Sequence, residues 1–425
     1  EAASLAGHLG LGKLVYLYDD NKISIDGATD ITFGEDVGAR FSAYGWHVQH
    51  VDGHDHAAVR AAIEAARSHG ERPSLICCRT TIAQGAPTKA GTSSSHGAPL
   101  GAAEVAATKE AMGWPADPFH VPAQVRDALG SQAQAHRSNR AEADARMAAY
   151  RQAYPELAAE LEGLMRGELP ANTFEQLGAV LESFPVGGAV ASRKAGQKVL
   201  SALCKSHPSL LGGSADLAGS NGVVLPDTPG QSKDHPEGRN LHFGVREHGM
   251  AGVCNGMALH GGVRPFDATF LVFSDFMRGA MRLAALMGLP VIYVLSHDSF
   301  WVGEDGPTHQ PIEHTMALRL IPGLHVIRPA DARETAGAWR FALGRRVGEG
   351  PTAILVTRQD LPVLPMSRGD IERGAYVLWE PEGDAALDGV LIATGSEVAT
   401  ALAAAKLLRE RGRRVRVVSM PCWEA

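Results

Sequence analysis

The stretch LPVIYVLSHDSFWVGEDGPTHQP, residues 289–311, sets the reading of the whole chain. Its first seven residues are an apolar run rich in β-branched side chains, the signature of a strand buried inside an α/β sheet. Such a strand delivers His297 at its carboxyl end, where open α/β sheets place their ligands. The turn from Gly303 to Pro307 is acidic and glycine-rich, and it folds His309 back toward His297. Two histidines bracketing such a turn have the layout of an active-site loop.

Working outward, strand-like and helix-like segments alternate at the spacing of βαβ units, which predicts parallel sheets covered by helices. A first region, 1–115, offers strands at 14–18, 47–51 and 74–78, with helical patterns at 35–44 and 55–68. It also holds a long loop at 83–101, rich in Gly, Ser and Pro, and long loops inside compact domains tend to be functional. Residues 116–185 turn to Ala, Arg, Glu and Gln and read as a helical linker without chemistry. A second α/β region, 186–365, has strands near Leu210, Arg264, Val291, His325 and Thr352. The last region, 366–425, carries one βαβ unit: a strand from Gly389, a helix at 397–411 and a strand from Val415. The expected architecture is therefore α/β, with tandem three-layer α/β/α domains and mostly parallel sheets. The start at Glu1 and the close just after a strand-like run predict that the first and third domains are incomplete.

Bulk properties narrow the function. With 425 residues and 45% hydrophobic content the chain is long enough for two or three domains with cores of their own. The balance of 40 basic against 47 acidic residues, without blocks of like charge, argues against nucleic acid or a membrane surface as partner. No apolar stretch reaches the roughly 18–20 residues that span a bilayer. Five scattered cysteines without a C-x-x-C pair predict reduced thiols and a cytoplasmic protein. The G-x-G-x-x-G fingerprint of nicotinamide and flavin sites is missing.

A second constellation is DDNKISIDG, residues 19–27, directly after a predicted strand. The Asn21 amide and the Ile23 carbonyl are hard oxygen donors of the kind that suit Mg²⁺ or Ca²⁺, and Mg²⁺ typically arrives with a phosphate-bearing ligand. An ordinary Asx-rich turn is the competing reading. The run itself resembles the end of the cofactor-anchoring motif of the transketolase family of thiamine diphosphate enzymes. Further landmarks follow in that family's order: SHGAPLG at 95–101, ASRK at 191–194, GGSADL at 212–217, GVREH at 244–248, GEDGPTHQP at 303–311 and TRQ at 357–359. Together they cover nearly the whole chain.

The resemblance implies a thiamine diphosphate-binding fold, with a partial diphosphate and metal domain first and a pyrimidine-binding domain at 186–365. It implies Asn21 and Ile23 as metal ligands, and Asn21, Ile23, His96, Asp216, Glu247, Phe270 and Phe273 as cofactor-binding residues. Glu247, which opens a predicted helix where the dipole stabilises a carboxylate, would hydrogen-bond the aminopyrimidine and promote the ylid. Phe270 and Phe273 would form an apolar shelf for that ring. The family's tyrosine just beyond is Phe276 here, and Trp301 stands where the family has a small residue. His96, Arg193, Ser220, His297, Asp305, His309 and Arg358 are the implied substrate contacts, with Arg193, Ser220, His297 and Arg358 forming a sugar-phosphate clamp. Glu247, His96 and His297 would be catalytic, the histidines because they exchange protons near neutral pH.

The function so implied is a transketolase, moving a two-carbon ketol unit from a ketose phosphate such as xylulose 5-phosphate to ribose 5-phosphate or erythrose 4-phosphate. It would act through an enamine intermediate, in the pentose phosphate pathway, as a homodimer with its site at the subunit interface. One rival is a dihydroxyacetone synthase using formaldehyde as acceptor. The other is a non-catalytic truncated chain, since the family's Gly-Asp-Gly metal element lies upstream of the Asp-Asn run.

Overall fold

A computed structural model describes all residues, Glu1–Ala425. They form two compact units, Ala3–Ala153 and Tyr154–Ala425, the latter together with Glu1–Ala2.

In the first unit, strands Val15–Asp20 (β1), His47–Asp52 (β2) and Ser74–Arg79 (β3) make a parallel sheet in the order β1-β3-β2. Along β3 the side chains alternate between two cores, Leu75 and Cys77 in one, Ile76 and Cys78 in the other. A central strand covered on both faces needs apolar residues at every position, which is why this run reads as continuous. The same alternation points the adjacent Cys77 and Cys78 to opposite faces, and all five cysteines are free and buried. Helices Val37–Ala43 (α1) and His56–Ser68 (α2) begin at aspartates whose carboxylates accept backbone N–H bonds: Asp36 from Ala39 at 2.9 Å, Asp55 from Ala57 and Ala58 at 2.9 and 3.1 Å. The unit ends in a long helix, Ala123–Ala153 (α3), which buries none of its residues, as its polar, alanine-rich composition predicts.

The second unit is built on a six-stranded, fully parallel sheet. Its strands are Leu210–Ser214 (β4), Asn240–His242 (β5), Arg264–Phe270 (β6), Ile292–Ser296 (β7), His325–Ile327 (β8) and Thr352–Val356 (β9), in the order β8-β9-β7-β6-β4-β5. Every residue of β6, β7 and β9 is buried. Helices Ser192–Ser206 (α4), Glu247–His260 (α5), Ser274–Leu286 (α6) and Ala332–Gly344 (α7) supply the cover. From α7, the fully buried Trp339 meets the edge of the Phe266 ring at 6.1 Å, in one core with Leu200, Leu203 and Ile354. Truncating such a residue to alanine costs about 3–5 kcal/mol. Register levels the carboxyl ends of β6, β7 and β9, with Ser296 opposite both Phe270 and Val356, while β4 ends slightly earlier, Ser214 lying opposite Ala268. The residues that follow these strands are thereby placed side by side.

The last strands are Tyr376–Trp379 (β10), Gly389–Ala393 (β11) and Val415–Ser419 (β12), with helix Glu397–Glu410 (α8) between the last two. β11 and β12 pair in parallel as expected, whereas β10 adds an antiparallel strand that the sequence reading lacked. It also lacked β5 and the antiparallel pair Ala189–Ala191 with Asp360–Pro362, because three residues are too few to display a periodicity. No helix is long and apolar enough to cross a membrane.

Candidate active site

At the carboxyl edge of the six-stranded sheet the chain assembles most of the residues singled out in the second unit. The buried His297, first residue after β7, has a left-handed backbone with φ +59°, and Asp216, after β4, has φ +62°. Left-handed backbone is uncommon for residues with a side chain and concentrates at functional sites, where the surrounding structure holds it. The His297 imidazole lies against the Phe270 ring at 3.8 Å between centroids. Phe270 and Phe273 stack nearly parallel at 6.0 Å, with planes 9° apart. His309 closes the group, its ring edge-on to Phe273 at 5.2 Å and to Phe270 at 6.0 Å. The glycine-rich turn therefore does return His309 to the neighbourhood of His297. Phe276 continues the aromatic row at 6.2 Å from Phe273 and is largely exposed. Trp301 is also exposed, tilted against Phe300 at 5.4 Å.

Beneath His297 runs a buried hydrogen-bond chain that the sequence reading missed. Ser296 Oγ lies 2.8 Å from His297 Nδ1 and donates to Asn221 Oδ1 at 2.6 Å. Asn221 Nδ2 donates to Ser214 Oγ at 2.8 Å, and Ser214 Oγ donates to the Ala268 carbonyl at 2.8 Å. Its one sequence signal is a polar residue at the end of each of two strands, Ser214 and Ser296. Burial, with Arg193 adding repulsion and Asp305 opposing it, brings the His297 pKa down to about 4, so the ring is neutral at pH 7.

A basic corner adjoins the histidine. Arg193 follows the first residue of α4, and its Nη1 donates to the Ser220 carbonyl at 2.6 Å, so it meets the backbone of Ser220 rather than the hydroxyl. Its Nε is buried without a partner. Burial lowers the Arg193 pKa, and the like charge of Arg358 lowers it further, against a weaker pull from Asp360. Arg358, two residues after β9, donates to the Val302 carbonyl and pairs with Glu304 at 3.6 Å. Two neighbouring guanidinium groups, one with an orphaned donor, form a place that an anion would relieve. Thr269 and Thr357 add buried hydroxyls without partners at this edge. Buried polar groups are rarely left unsatisfied, and unpaired ones at a sheet's ligand edge fit a binding site.

Glu247 is the buried first residue of α5. Ser220 and Asp216 are exposed, and Asp305 and His309 are half-buried.

In the first unit, Asn21 follows β1 directly. Its Oδ1 accepts the Ile23 N–H at 2.9 Å, an Asx turn that leads into the small hairpin Ile23–Ser24 with Gly27–Ala28. The ordinary turn and the metal-ligand reading are thus compatible: the bond uses one side of the amide oxygen, and the oxygen donors of Asn21 and Ile23 remain chemically suited to Mg²⁺ or Ca²⁺. Lys22, between them, has φ +60° and pairs with Asp20 at 3.0 Å. His96 is exposed and ends the short 3₁₀ turn Ser93–Ser95.

Three family models match this chain in succession: the transketolase thiamine diphosphate binding domain over residues 1–170, the transketolase pyrimidine binding domain over 188–363, and the transketolase-like C-terminal domain over 374–425. The chain is 53% identical to transketolase 2 of Xanthobacter flavus over 429 residues, covering 100% of this chain and 62% of that protein. It is 47% identical to a chloroplastic transketolase of Craterostigma plantagineum, covering 100% of this chain and 82% of that one. Among solved structures, transketolase from Leishmania mexicana superimposes with a TM-score of 0.93 at 40% identity, over 99% of this chain and 62% of that one. Transketolase from Pichia stipitis in complex with sedoheptulose 7-phosphate gives 0.92 at 39%, over 99% and 63%. The chain thus spans somewhat less than two thirds of the length of several relatives. The architecture is the α/β thiamine diphosphate-binding fold expected from the sequence. On sequence and structure alike, the chain belongs to the transketolase family.

Proposed function

We propose that this chain provides the substrate and pyrimidine side of a transketolase site, transferring a two-carbon ketol group reversibly from a ketose phosphate such as xylulose 5-phosphate to ribose 5-phosphate or erythrose 4-phosphate. The observation that carries the reading is the convergence of His297, His309, Phe270 and Phe273, with Arg193 and Arg358 beside His297. It offers an apolar stacking surface, two hydrogen-bonding imidazoles and a cationic corner for a phosphate.

Thiamine diphosphate, when bound, would supply the carbanion chemistry that cleaves and forms the carbon–carbon bond. Phe270 and Phe273 would take its aminopyrimidine ring on their apolar faces, and Glu247, buried at a helix start, would hold a proton at that ring. Asp216 would approach the thiazolium side. Asn21 and Ile23 would hold Mg²⁺ or Ca²⁺. His297 and His309 would orient the sugar hydroxyls and exchange protons with them, His96 assisting, while Asp305 and Ser220 offer acceptors. Arg193 and Arg358 would bind the phosphate, fixing the distance from it to the reacting carbons.

We divide the chain at 1–115 (diphosphate and metal), 116–185 (linker), 186–365 (pyrimidine) and 366–425 (C-terminal part), and read the enzyme as a cytoplasmic homodimer of the pentose phosphate pathway. Exposed large apolar side chains support a second copy as partner: Phe276 and Leu286 on α6, with Ile312, Met316 and Leu320 on and around the neighbouring short helix His314–Arg319. Solvent exposure of such a set is what an unpaired homodimer face leaves. Assaying the intact protein with thiamine diphosphate, Mg²⁺, xylulose 5-phosphate and ribose 5-phosphate tests the function. A seven-carbon ketose phosphate is the expected product, and its absence would overturn the reading.

A further inference from the structure

His314 opens the short helix His314–Arg319 with its side chain only 6% exposed, and neither ring nitrogen makes a hydrogen bond. A buried imidazole without partners calls for something else to satisfy it. Two carboxylates stand beside it. Asp275 Oδ2, from the second residue of α6, lies 3.2 Å from Nε2, and Glu313 Oε2 lies 3.8 Å from Nδ1. Glu313 precedes the helix without capping it. Both carboxylates are more than half exposed, at 57% and 73%. One ligand atom from each of the three residues lies within 4.8 Å of the other two. Tetrahedral Zn²⁺, with bonds of about 2.0–2.2 Å, holds its donors roughly 3.3–3.6 Å apart. Closing the difference takes a shift of about 1.5 Å at most, and rotation of an exposed glutamate side chain supplies that.

We propose that His314, Asp275 and Glu313 form a binding site for a first-row transition cation such as Zn²⁺, the imidazole acting through one ring nitrogen and water completing the coordination. One imidazole with two carboxylates is a donor set that favours Zn²⁺, Co²⁺ or Ni²⁺, whereas Mg²⁺ and Ca²⁺ take oxygen throughout. The fold holds the ring in place, and the carboxylates face solvent, which gives a hydrated ion its way in. The competing arrangement, a protonated His314 paired with Asp275, takes no metal. A cation here joins two elements of the second unit. Asp275 directly precedes Phe276, the exposed end of the aromatic row, and His314 follows the glycine-rich turn that carries His309. Occupancy therefore fastens the start of α6 to the segment that leaves that turn.

The test is calorimetric titration of the intact protein, stripped with a chelator, with Zn²⁺ near pH 7 in the presence of excess Mg²⁺ to fill oxygen-only sites. The wild type should bind one tight Zn²⁺ per chain, and Co²⁺ in its place should give the visible absorption of a four- or five-coordinate site. Asp275→Asn and Glu313→Gln are changes of nearly constant shape at exposed positions, so both variants should fold as the wild type does. Each should weaken Zn²⁺ at least about tenfold, since even the loss of a residue that only supports a ligand costs 10- to 100-fold. His314→Gln should cost about 100-fold or more and remove the Co²⁺ band. Zn²⁺ affinity should also fall from pH 7 to pH 5, because the imidazole must shed its proton to bind. Absence of tight Zn²⁺ binding in the wild type would overturn the proposal. So would wild-type Zn²⁺ affinity in both Asp275→Asn and Glu313→Gln, which would put the ion elsewhere. These two variants decide the matter even where His314→Gln folds poorly.

Discussion

Arg358 and Gly303 are fitted to each other so closely that a β-carbon on Gly303 would lie 1.9 Å from Arg358 Nη1. That same nitrogen donates to the Val302 carbonyl, so the loop between the two histidines is pinned to the residue proposed to grip phosphate. Gly303 also has φ +86°, a conformation that a side chain strains. Gly303→Ala must therefore displace either the loop or the arginine. KM for a phosphorylated ketose should rise at least about tenfold, the scale of one lost charged hydrogen bond. A wild-type KM would show that loop and arginine are not coupled in this way.

Arg193 is held at a cost. Its side chain is half-buried, its Nε is buried without a partner, and Arg358 repels it. Arg193→Met keeps the length of the side chain and removes the charge, so it should raise the melting temperature of the ligand-free protein while weakening substrate binding. The expected loss is about 10- to 100-fold in kcat/KM for phosphorylated ketoses, with little change for an unphosphorylated ketose of the same configuration. Equal losses for both would place Arg193 outside phosphate binding.

Asp267, in the middle of β6, is fully buried, its carboxylate oxygens meet no well-formed hydrogen bond, and its polar neighbour is the Cys254 thiol, which only weakly opposes the effect of burial. Burial pushes its pKa up to about 8, while the unfolded chain releases the proton near pH 4. Between those values the folded protein binds the extra proton, so stability declines as pH rises from about 4 to 8. Asp267→Asn has nearly the same shape and no charge at any pH. Its melting temperature should match the wild type near pH 5 and exceed it by about 5 °C or more near pH 8. A pH-independent difference would mean that Asp267 is ionised in the fold.

Most of this architecture is legible in the sequence, because strands such as 292–296 and 74–79 are buried on both faces and so announce themselves as apolar runs. The loop they feed was legible as well, since histidines and glycines in such a turn have few other uses. What escaped is short or relational. Strand β5 spans three residues, and β10 pairs antiparallel to a partner some forty residues on. Asn221 earns its place only through Ser214 and Ser296, 7 and 75 residues away. No local pattern encodes that meeting, which follows from β4 and β7 both ending at one edge of the sheet, on either side of β6.

His297 also sets an acid limit on the fold. In the unfolded chain it protonates near pH 6.5, whereas burial and the neighbouring Arg193, Arg358 and His309, opposed only by Asp305, bring it to about 4 in the folded state. Below pH 6.5 the unfolded state therefore binds the extra proton, and stability is lost as pH falls from about 6.5 to 4. At about 1.4 kcal/mol per pKa unit the whole interval is worth up to about 3.5 kcal/mol. His207, buried beside Arg264 and Arg239, is brought down to about 4 in the same way and supplies a second, independent share. His297→Asn should leave the urea midpoint at pH 5 nearer to its own value at pH 7 than the wild type does, and His207→Asn should do the same. The double variant should show the sum, since the two sites share no partners. A wild-type acid slope in His297→Asn would mean that the ring stays charged in the fold.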